Sequence, residues 1–377
     1  MKKVILILSA FSWTCSFAQN LTLGHTTAND LLLKGNSCEK LIEQHEKICQ
    51  WKQRIEPLFE IPAINHSQCR ALAKNSYSMT VSSCLPTFVK ENHNKPLQRS
   101  GANCWGTAMS FKGISDTPRF IWSDEMTYWM NSPICRKLAE GEEKEAGDIL
   151  NVFGPEYVFS GEDETQNKGY LFWKALNPKH YTESPVRSGY SGYHNFLHSE
   201  TYISSEMTFG KNSPSYEDEF RFNLLKNVYG RSHTEECQEN QSIEANLREN
   251  QNESQDIKGR RCDYFTNVYR CENFNTYFLE QNLTDEEQIV WVEINALKEI
   301  QNKLFPLLHS KSILISKTEQ KSFLEEADMS AAEALSQLAS GAMTKNKEML
   351  LTLQYFTAQG IRKSMELARL IPATEAL

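Results

Sequence analysis

The stretch SGANCWGTAMSF, residues 100–111, sets a cysteine between an asparagine and a tryptophan where a small, polar loop turns apolar. In an oxidising compartment such a cysteine is either half of a crosslink or a nucleophile. The second role needs a group that favours the thiolate, a base within reach, and N–H donors for an oxyanion. The residues after Cys104 suit a closely packed helix, and a cysteine in a first turn lies beside unpaired N–H groups and the positive end of the helix dipole. Downstream, FLHSETYISSEMTFGKN puts His198 directly ahead of an alternating strand, from whose start an imidazole can face a helix end. His194, four residues upstream in SGYHNF, is the rival base. Between cysteine and histidine, EKEAGDILNV carries Gly147-Asp148 into an apolar strand.

The elements around these residues follow from their pattern. Ser37 is a helix cap for the stretch to about Phe59, and Ser67 is expected to cap a second, antiparallel helix after the turn at Pro62 and Asn65. In such a hairpin Cys38 and Cys49 are about three turns apart on one face. Spacing then pairs Cys49 with Cys69 and Cys38 with Cys84. RFIW (119–122) reads as a strand, 123–130 as a helix, and GDILNVF, ETYIS, MTF, FRFNLL and DYFTNVYRC as further strands. Residues 154–192 form an aromatic, polar insertion, and 233–259 a polar loop with too few apolar residues to fold alone. Beyond 273 the pattern is helical: Thr284 and Glu287 make a capping box, Pro306 ends that helix, and amphipathic stretches follow from about 318 to 339 and 344 to 370.

The first residues carry Lys2 and Lys3, an apolar run and the small-x-small pattern Ser16-Phe17-Ala18, which reads as a signal peptide (1–18) cleaved after Ala18. The expected location is bacterial, periplasmic or secreted. No other stretch has the roughly 20 apolar residues of a membrane span. With 40 basic against 48 acidic residues and no basic block, nucleic acid is excluded as a partner. Of ten cysteines, removal of Cys15 leaves an odd nine, so one thiol stays unpaired. Cys262 with Cys271 and Cys135 with Cys237 complete four bridges and leave Cys104 alone. A zinc reading of His66, Cys69, Cys84 and His93 fits no standard finger spacing, and neither metal nor cofactor is expected.

The order of Cys104, Gly147-Asp148-Ile149 and HSETYIS resembles the NlpC-type and CHAP-type peptidoglycan cysteine hydrolases over about residues 96–225. The resemblance implies an α+β, papain-like core (96–272) in which the nucleophile helix packs on an antiparallel sheet, between the crosslinked helical region (19–95) and the C-terminal helices (273–377). It implies Cys104 as nucleophile, His198 as base, and a peptide or amide bond of peptidoglycan as substrate. Asn103 matches the polar residue that precedes the cysteine and is expected to face substrate or oxyanion, together with Gln98, which has papain-like spacing for an oxyanion donor. Asn212 stands for the residue that orients the histidine, with Glu206 and Asn195 behind it. Asp148 reads as structural. The fifty residues from Asp148 to His198 exceed the family's interval and require the insertion. Two other functions fit the residues: a non-catalytic interaction module on the same core, and an exported acyltransferase or deamidase.

Overall fold

A computed structural model describes residues 21–24, 31–95, 97–154, 195–225 and 265–370. Ser37 caps helix α1 (Cys38–Ile55) by accepting from Lys40 N, with Glu39 in the first turn and Lys52 and Arg54 in the last, as the helix dipole favours. Its Leu41, Ile48, Cys49 and Trp51 form a fully buried stripe.

The expected second helix is not there. Ser67 lies in a short 3-10 turn (His66–Gln68) capped by Asn65, and the chain continues as a hairpin of β3 (Arg70–Ala73) and β4 (Ser76–Thr80). Asn75 makes the tight turn at φ 58, a conformation asparagine tolerates. With β1 (Thr22–Gly24) and β2 (Leu32–Gly35) the hairpin forms an antiparallel sheet in the order β1-β2-β4-β3. This overturns the nested crosslinks: the bonds are Cys38–Cys69 and Cys49–Cys84. The chain returns from the end of α1 to its beginning before forming the hairpin, so Cys69 meets the start of the helix and Cys84 its later turns. Cys38→Ser and Cys69→Ser are therefore expected to cost the same, about 2 to 4 kcal/mol, with the double variant no worse. Adding Cys84→Ser to Cys38→Ser should lower thermal stability further, and equal losses in that pair would restore the nested scheme.

Short helices α2 (Thr87–Asn92), α3 (Cys104–Ser110) and α4 (Ser123–Met130) precede a second, larger sheet. It comprises β5 (Cys135–Lys137), β6 (Ile149–Gly154), β7 (Asn195–Tyr202), β8 (Met207–Gly210), β9 (Arg221–Leu224) and β10 (Phe265–Cys271). The order is β5-β10-β6-β7-β8-β9, and every pairing is antiparallel. Because β10 runs beside β5 with Cys271 opposite Cys135, these two cysteines bond each other. The expected Cys135–Cys237 and Cys262–Cys271 pairs are thereby excluded; Cys237 and Cys262 lie outside the described residues. RFIW joins neither sheet, because the Ile121 N–H and C=O are both taken by the Asn103 side chain.

Gly147 adopts φ +98, which favours a residue without Cβ, and turns the chain into β6. Asp148 beside it is fully buried and accepts from Arg270 Nε and Nη2 and from Glu145 N, tying the start of β6 to β10. Gly-Asp is thus a structural joint, as expected.

The C-terminal part is helical: α5 (Phe274–Glu280), α6 (Asp285–Leu304), α7 (Lys317–Ala339) and α8 (Lys345–Leu367). The Thr284–Glu287 capping box forms, and Ser316 with Glu319 repeats it. Neither flank is a separate body. One apolar cluster joins α3 and α4 to α6, α7 and α8, while another joins Trp51 of α1 to Phe111, Phe209 and Phe222. Among the described residues, no helix is long and apolar enough to cross a membrane.

Candidate functional site

Helix α3 begins at Cys104, the one free cysteine among the described residues, and packs against β7 and β8. Its start is fixed by Asn103. The Asn103 Oδ1 accepts from Gly106 N at 3.0 Å and from Ile121 N at 3.2 Å, and its Nδ2 donates to Ile121 O at 2.7 Å. The side chain expected to face substrate is committed to capping and is 4% exposed. Gly106 permits the same closeness from the next turn: a Cβ there would lie 1.6 Å from Arg119 O. That carbonyl belongs to a residue whose guanidinium forms a fully buried pair with Glu125, itself also bonded to Trp129 Nε1. The segment carrying the sulfur is therefore clamped at both Asn103 and Gly106.

The Cys104 thiol lies near enough to His198 of β7 to raise that imidazole's affinity for its proton. Its Nε2 lies 2.9 Å from Glu200 Oε1, so Nδ1 is the ring nitrogen left for the thiol. Residues two apart on a strand share a face. Glu200 is 2% exposed and held by neighbouring strands: Asn223 Nδ2 of β9 donates to Oε1 at 2.9 Å, and the Thr208 hydroxyl of β8 donates to Oε2. Burial opposes a charge on the imidazole, but the hydrogen bonds to Cys104 and Glu200, together with their charges, outweigh it. The His198 pKa is pushed up to about 10.

The orienting group is thus Glu200, not Asn212, Glu206 or Asn195. Asn212 lies in the loop after β8, Glu206 in the β7–β8 turn with its backbone bonded to Ser204 Oγ and Leu225 N, and Asn195 opens β7. Gln98 is exposed, with its backbone N–H on Leu308 O, among residues from the C-terminal helices. His194 lies outside the described residues, as does most of the 154–192 insertion. Glu200 was readable in HSETYIS as the acid sharing a strand face with His198, a local signal that a search for a downstream polar residue passes over.

Lys211 follows β8 and is fully buried, its Nζ donating to Ser213 O and, at 2.6 Å, to Ser215 O. Burial pushes its pKa down to about 8 against the charges of Asp218 and Cys104. Among the described residues, the cluster of donors fit to approach a metal is His45, Cys49 and Cys84. Its two sulfurs are bonded to each other, which removes them as thiolate ligands.

Cysteine, imidazole and carboxylate in a row can pass a proton from sulfur to a leaving group, the constellation of nucleophilic acyl transfer. No protein-family model matches the chain, and no curated protein or solved structure compared with it matches either.

Proposed function

We propose that this chain is an exported cysteine amidohydrolase with a papain-like core, acting on peptide or amide bonds of peptidoglycan. The observation that carries the reading is the Cys104–His198–Glu200 row, in which an unpaired cysteine stands among disulfide-bonded ones and meets an imidazole whose far nitrogen is held by a buried carboxylate. The α+β arrangement, with a cysteine-bearing helix against an antiparallel sheet, supports the papain-like core. Three disulfides suit an oxidising compartment.

In this reading the Cys104 proton passes to His198 and the sulfur attacks the amide carbon. The carbonyl π pair moves onto oxygen, where the Cys104 backbone N–H, a first-turn donor without an intrahelical partner, stabilises it. Collapse of the tetrahedral adduct breaks the C–N bond as His198 protonates the departing amine. Water, deprotonated by His198, then attacks the thioester, releasing a carboxylate and restoring the thiol. Glu200 keeps the ring in the required orientation and balances its charge through the cycle.

Purified protein incubated with peptidoglycan should release soluble fragments bearing new amine termini, measured by amine derivatisation and mass spectrometry, with Cys104→Ser as the blank. Binding without release, identical in Cys104→Ser, would instead support an interaction module. Turnover only with an added amine acceptor would support a transferase.

A further inference from the structure

The segment Gly210–Ser215 touches both arms of the site. On the histidine arm, Gly210 lies against Glu200, where a Cβ would stand 3.0 Å from Glu200 Cγ. On the cysteine arm, Pro214 O accepts from Gly101 N at 2.9 Å, three residues ahead of Cys104. Between these two contacts stands Lys211, with no exposed surface, and its ammonium gathers the carbonyls on either side of Pro214, those of Ser213 and Ser215. Carbonyls of neighbouring peptides left to themselves do not converge, because their dipoles repel. A cation between the first and the third lets both turn inward, while the middle one stays free to accept from Gly101. Asp218 completes the loop by accepting from Ser213 Oγ.

We propose that Lys211 is a positioning residue for Cys104: its buried ammonium folds the 211–215 loop so that Pro214 fixes the approach to the cysteine, and its charge supports the anionic sulfur. The proposal rests on the Cys104–His198 reading above. A buried ammonium held by neutral carbonyls and one nearby carboxylate is a costly arrangement. Methionine would fill the same space without that cost, so a purely packing role leaves the charge unexplained. The lowered affinity of Lys211 for its proton, with Cys104 among the charges that oppose the lowering, agrees with this.

The test is the rate at which iodoacetamide alkylates Cys104 at pH 7, which needs no substrate. Lys211→Met is expected to slow it about tenfold, and Lys211→Arg to stay within about threefold of wild type, because a guanidinium restores both charge and donors. A merely structural loss has the opposite sign: Cys104 is 5% exposed, so loosening the loop would speed alkylation. Faster or unchanged alkylation in Lys211→Met overturns the proposal. Asp218→Asn, compared with wild type at pH 6 so that Lys211 keeps its proton without the carboxylate that favours it, keeps an acceptor for Ser213 and is expected to raise the rate two- to threefold. That variant decides the matter if Lys211→Met does not fold, a rate at or below wild type overturning the role of charge. His198→Ala separates the two readings. If it leaves alkylation unchanged, the cysteine–histidine reading fails; if it slows alkylation while Lys211→Met does not, only the role of Lys211 fails.

Discussion

Glu200→Gln should lower the His198 pKa from about 10 by two or more pH units and slow Cys104 alkylation at pH 7 at least tenfold. The glutamine fills the same volume and can still accept from Nε2, so what is lost is the charge. Burial then acts on the imidazolium with only Cys104 to oppose it. The pKa is measurable from the imidazole resonances in an NMR titration. The sign of the stability effect is fixed by linkage. A histidine raised from 6.5 to about 10 contributes stability that is fully present below pH 6.5 and is lost as pH rises through 10. Wild-type stability should therefore fall between those limits, and the variant should lose much of that slope. A His198 pKa unchanged in Glu200→Gln would show that the carboxylate does not hold the ring.

Gly106→Ala is the second large effect. The added methyl would stand 1.6 Å from Arg119 O and 2.8 Å from Arg119 C, both backbone atoms. Relief requires either α3 or the 119–122 segment to move. The first is pinned by Asn103, and the second by the buried Arg119–Glu125 pair and by the bond from Arg119 Nη1 to Phe120 O. Breaking such a buried pair costs about 3 to 5 kcal/mol. Gly106→Ala should thus destabilise by about 4 kcal/mol or more, despite the better helix propensity of alanine. Chemical denaturation measures it, and a loss below about 1 kcal/mol would mean that the two segments do not approach as described. For comparison, Ala108→Gly on the same helix should cost about 1 kcal/mol from propensity plus the loss of a small buried methyl.

What the sequence disclosed and what it concealed divide along local and non-local physics. The caps at Ser37 and Thr284 and the strands at 149, 207 and 265 are written in adjacent residues, and they form as expected. Cys104 was legible because it opens a helix, whereas His198, expected just ahead of its strand, is the fourth residue of β7, which starts at Asn195. RALA and SYSMT gave no such signal: the first is wholly exposed, so its residues are not under pressure to alternate, and pairing to β2 makes the sheet. RFIW has strand residues but its Ile121 finds its hydrogen bonds on an asparagine side chain eighteen positions away in sequence, which no local pattern records. The disulfide pairings failed for the same reason. Helical spacing determines which cysteines share a face, but only the course of the chain determines which face is met.

The place of β10 between β5 and β6 has a bearing on how the chain comes into being. A polypeptide delivered N-terminus first presents Cys135 long before its partner Cys271, 136 residues later. During that interval the larger sheet lacks an inner strand, and closure over so long a separation is slow. The unpaired Cys104, thirty-one positions before Cys135, is a nearer candidate for an unwanted bond throughout. The contacts that fix the backbone around it are complete by residue 125: the Asn103 clamp on Ile121, the fit of Gly106 under Arg119, and the Arg119–Glu125 pair. These form from a span of little more than twenty residues, before Cys135 itself has emerged. The helix that carries the sulfur can therefore be set in place before β7 and β8, the strands it packs against, have arrived.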